Sequence, residues 1–269
     1  MALIRLLLAA FLLYTPLTVD AGLAKKTANK QGAKGTDARF LQYSRYVLSI
    51  RPALFCPLHE ASGTTADDIG VNNLDGTYGA GVTLAKASLI TDNEGASISM
   101  SADGTASVMI AGSGSLLDFT TAGTIMFWAL RSGTTSSQRG VWAKDSCAGN
   151  RFAVTYDGNG AGSFFLFAYR TGGVPGTVTF SSTAHASADR FLVFSWASDV
   201  ARYFLDGVLV TSGITFNNPG GNTDLVHLGG FVSGGCSQVG TAGDRIQGVA
   251  CWSRQLSDAE VLAAWEAGR

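Results

Sequence analysis

The sequence carries little charge, and neither sign dominates. Charged residues make up 14% of the chain, and the formal net charge at pH 7 is −1. A protein that binds nucleic acid needs a clear excess of lysine and arginine, because contacts with the phosphates supply much of the affinity. The composition therefore argues against nucleic acid as the main partner.

The sequence also lacks cysteine pairs at metal-binding spacing. None of its four cysteines forms a Cys-x-x-Cys motif, so a zinc site is not expected. Cys147 and Cys236 lie in glycine-rich loops, where a disulfide would staple loop segments in an oxidising compartment. Cys56 and Cys251 lie in strand-like runs, where a free cysteine behaves as a small buried hydrophobic residue. The even number of cysteines does not decide between disulfides and free thiols.

Short catalytic motifs are missing as well. The sequence contains no Gly-x-Ser-x-Gly elbow, no Walker-type phosphate loop and no His-Glu-x-x-His motif. The three histidines, His59, His185 and His227, are scattered among predicted strand ends and loops. They are expected to be packing or surface residues. The sequence predicts that the protein is not an enzyme.

Residues 1–21 have the pattern of a secretory signal. Arg5 provides a short basic region, residues 6–13 form an apolar run, and Val19-Asp20-Ala21 suits a signal peptidase. The apolar run is too short for an ordinary transmembrane helix. In the alternative interpretation, the segment is retained as a hydrophobic arm that contacts a partner subunit or a membrane. Both interpretations remain open.

Residues 22–46 have a different composition. They contain six lysines and arginines and a single acid, Asp37, among small and polar residues. This composition is typical of a flexible linker, and an anionic surface such as lipid headgroups or a capsid lumen would suit its charge. We therefore expect a signal-like or anchoring segment (1–21), a basic flexible linker (22–46) and one folded domain (47–269).

Beyond residue 46 the pattern is strand, turn, strand. The clearest example is residues 191–210, where Ser198-Asp199 and Asp206-Gly207 separate three apolar runs. An Asp-Gly pair between apolar runs predicts a type I′ turn, so we expect a three-stranded meander here. About a dozen such runs predict an all-β protein. Ser257-Asp258-Ala259-Glu260 is a capping box and predicts one helix at the C-terminus.

Three segments resemble a laminin G-like, concanavalin A-like domain in the expected order. They are residues 53–65 with Asp68 and 74–78, residues 202–207, and residues 248–257 with the helix. The resemblance covers the chain from about Tyr46 to Arg269. It implies a two-sheet antiparallel β-sandwich of the jelly-roll type. A short C-terminal helix and an extended or helical N-terminal arm would complete the fold.

One position departs from this family. Its opening strand usually carries tryptophan where this chain has Cys56, so that core position is smaller here. The first and last strands of the family pair side by side, which implies that Cys56 and Cys251 could face each other. They would form either a disulfide or two packed thiols, and we favour the thiols.

The resemblance also bears on function. Glycan hydrolases of this fold place two glutamates at alternate positions of one strand, and no predicted strand here carries such a pair. Residues 74–84 resemble the version of the domain in structural proteins of tailed bacteriophages, where it is exposed on the capsid or tail. This likeness implies a non-enzymatic virion surface protein. Its arm would contact other virion subunits, or a membrane through residues 1–21, and its sandwich would contact host-surface glycans.

The alternative is a secreted or cell-surface bacterial adhesion protein that binds glycans and loses residues 1–21 as a cleaved signal. Neither role requires a cofactor. Asp67, Asp68 and Asp75 could bind calcium through their oxygens, although aspartates in turns more often cap backbone groups locally. Trp142, on a short strand between loops, is the candidate aromatic platform for a sugar.

Overall fold

Two eight-stranded sheets, A and B, contain nearly all of the strands. The computed structural model describes residues 38–90, 96–100, 108–110, 114–131, 139–145, 151–157, 164–171, 174–181, 188–215, 225–231, 238–239 and 244–269. The strand pairs of these sheets are antiparallel throughout the described residues. The predicted all-β sandwich with a C-terminal helix is confirmed.

Each sheet is assembled from strands that are distant in sequence. In spatial order, sheet A consists of β14 (Val208–Thr215), β13 (Val200–Leu205), β12 (Asp189–Ala197), β7 (Ala122–Leu130), β18 (Arg245–Trp252), β5 (Ala96–Met100) and β4 (Val82–Ala87), and β1 (Leu54–Cys56) also pairs with β18. Sheet B consists of β11 (Val174–Ser181), β10 (Phe164–Thr171), β9 (Arg151–Asp157), β8 (Arg139–Asp145), β15 (Val226–Leu228), β6 (Val108–Ile110), β3 (Gly76–Tyr78) and β2 (Thr65–Ala66). A small hairpin joins β16 (Gly230–Phe231) to β17 (Gln238–Val239).

Residues 191–210 form the predicted meander. β12 pairs with β13, and β13 pairs with β14. The turn residues Ser198 and Asp199 have φ angles of 48° and 62°, and Asp206 and Gly207 have φ angles of 50° and 77°. Positive φ at both central residues is the geometry of a type I′ turn, whose twist matches that of the strands.

The main core lies between the two sheets. Side chains alternate between the faces of a strand, so every second residue points inward. Sheet A supplies Phe127, Phe194 and Tyr203 to this core, and sheet B supplies Trp142 and Val154. The aromatic residues of the meander are thus packing residues.

A second apolar cluster covers the opposite, outer face of sheet A. It contains Trp128 and Phe191 from the sheet together with residues of two helices, α1 (Ala38–Ser49) and α2 (Asp258–Gly268). Helix α2 begins at the predicted capping box, in which Glu260 N–H donates to Ser257 Oγ and Ser257 N–H donates to Glu260 Oε2. Both described helices therefore pack on sheet A.

Helix α1 corrects the predicted extent of the flexible linker. Phe40, Tyr43 and Val47 are buried and recur at helical spacing, which gives the helix an apolar face. The basic composition of residues 22–46 obscured this short stripe. The signal-like segment and the rest of the linker lie outside the described residues. Within the described part of the chain, no helix has the length and apolarity needed to cross a membrane.

Tyr43 fixes helix α1 to the sheet. Its ring is completely buried and makes edge contacts with Phe55, Trp128 and Phe191, at centroid distances of 6.0, 6.2 and 6.5 Å. Its hydroxyl donates a hydrogen bond of 2.9 Å to the Gly248 carbonyl. Burial raises the pKa of Tyr43 well above its usual range, so the phenol stays protonated and remains a donor.

Candidate functional site

The outer face of sheet B is the sandwich face on which neither described helix packs. Trp142 and Val154 point into the core, so Ala143 and Ala153 lie on the opposite face by strand alternation. The hairpin β16–β17 lies against β8. Gly229 N–H donates to the Val141 carbonyl, which places the hairpin toward the Arg139 end of that strand.

Opposed residues on β8 and β9 define this part of sheet B. Trp142 lies opposite Val154, and Ala143 lies opposite Ala153. Both alanines are completely buried, so this part of the outer face is covered and is not open to solvent.

Trp142 is not a sugar platform. Its side chain is only 1% exposed and packs in the core between the sheets. A sugar stacks on the open face of an aromatic ring, which this placement does not provide. The register of β8 shifts between Gly140 and Trp142, and this bulge interrupts the alternation by which the face of a residue is inferred. The expectation for Trp142 was therefore wrong.

Asp68 organises the loop between β2 and β3. Its carboxylate is buried and accepts hydrogen bonds from the backbone N–H groups of Phe55 at 2.8 Å, Gly70 at 2.7 Å and Leu74 at 2.6 Å. Burial raises the pKa of Asp68, and these hydrogen bonds oppose the increase. Asp75 Oδ1 in turn accepts from the Asp68 N–H at 2.9 Å.

Local capping therefore describes these aspartates better than calcium binding. The backbone N–H of Asp67 donates to Glu60 Oε1 at 3.0 Å, and the Tyr78 hydroxyl donates to Glu60 Oε2 at 2.5 Å. Among the described residues, no group of three or more histidines, cysteines, aspartates or glutamates is arranged to hold a metal ion. Glu60 is the loop residue that the sequence analysis missed.

Cys56 and Cys251 are free and buried. β1 pairs with β18 so that Cys56 lies opposite Val249 and Cys251 lies opposite Leu54. Both cysteines belong to the core between the sheets, where burial raises the pKa of each thiol. The structure thus contains two packed thiols, the form that the sequence favoured, and no disulfide joins this pair. Cys147 and Cys236 lie outside the described residues.

The sequence matches a known family over more than half of its length. A laminin G-type family model, described as the concanavalin A-like lectin/glucanases superfamily, matches residues 102–262. The chain belongs to this superfamily. Helix α1 and strands β1 to β5 precede the matched region; these strands complete sheets A and B of the sandwich, and α1 packs on sheet A. No curated protein sequence matches the chain.

Solved structures share the fold at low sequence identity. The binding domain of Paraclostridial mosquitocidal protein 1 has a TM-score of 0.60 and 11% identity, with 81% of this chain and 52% of that chain covered. The receptor-binding domain of botulinum neurotoxin type G has a TM-score of 0.58 and 10% identity, with coverages of 80% and 51%. A Trypanosoma rangeli sialidase has a TM-score of 0.59 and 12% identity, with coverages of 91% and 39%. The concanavalin A-like chain thus spans about half the length of the first two chains.

Proposed function

We propose that the protein is a non-enzymatic glycan-binding module on the surface of a virion. Membership of the lectin/glucanase superfamily supports a carbohydrate ligand. The observation that carries the proposal is the lectin-like sandwich of two antiparallel sheets, in which both described α-helices pack on sheet A and neither packs on sheet B.

Binding without catalysis is supported by the placement of the carboxylates. Hydrolases of this fold need an acid and a second carboxylate that flank the scissile bond. None of the described strands contains more than one aspartate or glutamate. Asp68, which is buried, is already committed to three backbone N–H groups.

The similar structures support cell-surface recognition as the role. One of them is a botulinum neurotoxin type C structure, and cell entry of that toxin depends on interaction with two ganglioside molecules. That neighbour is only 9% identical to this chain, so it shares the fold alone. A glycan on a host surface is the ligand class that we carry over to the proposal.

The virion role rests on the N-terminal part of the chain. Residues 74–84 resemble the bacteriophage version of the domain, and a hydrophobic and basic segment precedes α1 in sequence. Since Tyr43 fixes α1 to sheet A, a subunit that holds this segment would also hold the sandwich. The signal-like pattern of residues 1–21 favours the second candidate, a secreted or cell-surface bacterial adhesion protein.

Glycan arrays with the full chain test the binding function. We expect binding to a subset of glycans, with no cleavage of the bound sugars over hours. Absence of binding across neutral, sialylated, uronate-bearing and sulfated glycans would contradict the proposal. Release of shortened sugars would show that the protein is an enzyme.

Intact mass of the native protein separates the two locations. We expect purified virions to contain the protein with residues 1–21 retained. Recovery of the protein from a culture medium free of virions, with these residues removed, would favour the secreted alternative.

A further inference from the structure

The exposed apolar side chains of the described residues gather at one edge of sheet A. Eight large apolar residues are exposed in the described part of the chain, and five of them lie on β13, β14 or α2: Val200, Val208, Leu209, Val210 and Leu262. Trp265 of α2 lies against Gly207 at the start of β14, and Leu262 precedes it by about one helical turn. We call the five exposed residues the edge patch.

Strand β14 is an unprotected edge of its sheet. It is the terminal strand of sheet A, and no described strand pairs with its other side, although β11 of sheet B lies nearby. Its sequence, Val208–Thr215, contains no charged residue and no proline. Strand β4, at the opposite edge of the sheet, carries the exposed Lys86. Because the free N–H and C=O groups of an edge can bind another strand, soluble proteins usually protect edges with such charges. The exposed, uncharged edge of β14 therefore has the character of an interface.

The composition of β14 favours another strand of the same kind as its partner. Five of its eight residues are valine, isoleucine or threonine, whose β-branched side chains favour strands. The apolar run of residues 6–13 consists of leucine, alanine and phenylalanine and has no β-branched residue, so it matches this edge less well than β14 itself does.

The charges beside the edge patch also permit a second copy to approach. Arg202 on β13 forms an ion pair with Asp258 at the start of α2. Arg190 forms an ion pair of 2.6 Å with Asp206 in the turn before β14. These four residues leave no excess of either sign, so they do not repel the same four residues of a second copy.

We propose that β14 pairs antiparallel with β14 of a second copy, so that the two A sheets form one continuous sheet. A two-fold axis perpendicular to the sheet makes the identical strands antiparallel and brings the same surface of both copies together. The edge patch is then buried between the copies, with Leu262 extending the contact beyond the strands. An eight-residue strand and part of one helix amount to less than the roughly 20–30 residues that each partner contributes to a standard interface. We therefore expect a dimer that dissociates on dilution. Dimer formation goes beyond the glycan-binding function proposed above and does not depend on it.

Sedimentation velocity of the full chain, from about 1 µM to about 100 µM, tests the proposal. We expect monomers at the low concentration and dimers at the high one. Val208→Lys introduces a charge at the edge of β14, where the dimer would have to bury it. The dissociation constant of the dimer should rise by roughly tenfold or more.

Val71→Lys is the matched control. Val71 is 58% exposed and Val208 is 63% exposed, so the two variants place the same charge at similarly open positions. Val71 lies in the loop between β2 and β3, at the opposite end of sheet B from β11. Val71→Lys should leave the dissociation constant unchanged. Thermal melting of both variants confirms that they are folded.

A photoreactive residue in place of Leu209 identifies what lies against the edge. We expect crosslinks that join β14 of one copy to β14 of another and that disappear with Val208→Lys. Crosslinks to residues 1–21 instead would show that the hydrophobic segment occupies the edge, which would overturn the proposal. A chain that stays monomeric at the highest concentration would overturn it as well, as would equal effects of Val208→Lys and Val71→Lys on the dissociation constant.

Discussion

Replacing Tyr43 with alanine is expected to release helix α1 from sheet A. The ring is completely buried among Phe55, Trp128 and Phe191, and the hydroxyl donates to the Gly248 carbonyl. Loss of a buried aromatic ring costs about 3–5 kcal/mol of unfolding free energy. Tyr43→Phe removes only the hydroxyl and should cost about 1 kcal/mol. Since domains of this kind are stable by about 5–15 kcal/mol, both variants should still fold.

Urea denaturation followed by tryptophan fluorescence measures both losses, because Trp128 lies against Tyr43. Gln42→Ala, an exposed change on the same helix, is the control and should cost less than about 0.5 kcal/mol. A loss for Tyr43→Ala no larger than that of this control would refute the reasoning. It would mean that the flexible linker extends to residue 46, as the sequence alone predicts.

A double-mutant cycle with Gly248 tests the contact itself. Gly248 has a φ angle of 62°, and an added Cβ would lie 2.7 Å from Tyr43 Cε1. Gly248→Ala should therefore be destabilising in the natural chain through both backbone strain and the clash. In the Tyr43→Ala background only the strain remains, about 1–2 kcal/mol. If Gly248→Ala lowers the unfolding free energy equally in the natural chain and in the Tyr43→Ala variant, the two residues are not coupled.

Three further predictions concern stability. Asp68→Ala leaves three backbone N–H groups without their acceptor and should lower the free energy of unfolding, measured in urea, by roughly 3 kcal/mol. If Asp68 instead belonged to a calcium site, added calcium would stabilise the natural chain. Gly123→Ala should lower the melting temperature, because the added Cβ would lie 2.4 Å from Trp196 Cζ2; an unchanged temperature would contradict this packing. The hydrogen bond from Arg254 lowers the pKa of Glu260 from 4.5 to about 2. The stabilisation by Glu260 is therefore present above pH 4.5 and lost as the pH falls toward 2. The difference in unfolding free energy between the natural chain and Glu260→Gln should shrink over that range. A constant difference would contradict this prediction.

Local signals made much of the fold predictable from the sequence. The Asp206-Gly207 pair requires positive φ at both positions, and a type I′ turn is one of the few structures that provides it. Ser257 and Glu260 satisfy each other's backbone groups, so the start of helix α2 also follows from residues close together in sequence. Helix α1 was missed because its stability comes from packing on a sheet that forms from distant residues.

The candidate site could not be predicted in the same way. Trp142 lies in a strand whose bulge shifts the register, so alternation did not reveal the face on which its side chain lies. The pairing of β8 with β9 places Trp142 opposite Val154, and a slip of one residue would move side chains from the core to the outer face. Pairing across loops is a property of the assembled sheet.

Photo-crosslinking tests the central claim most directly, namely that the β-sandwich binds a glycan. The full chain would be labelled with a diazirine derivative of the glycan that binds best, and the labelled peptides would be mapped by mass spectrometry. We predict labelling within the sandwich, residues 51–257, suppressed by an excess of unmodified glycan. Suppressible labelling confined to α1 or to residues that precede it would contradict the account.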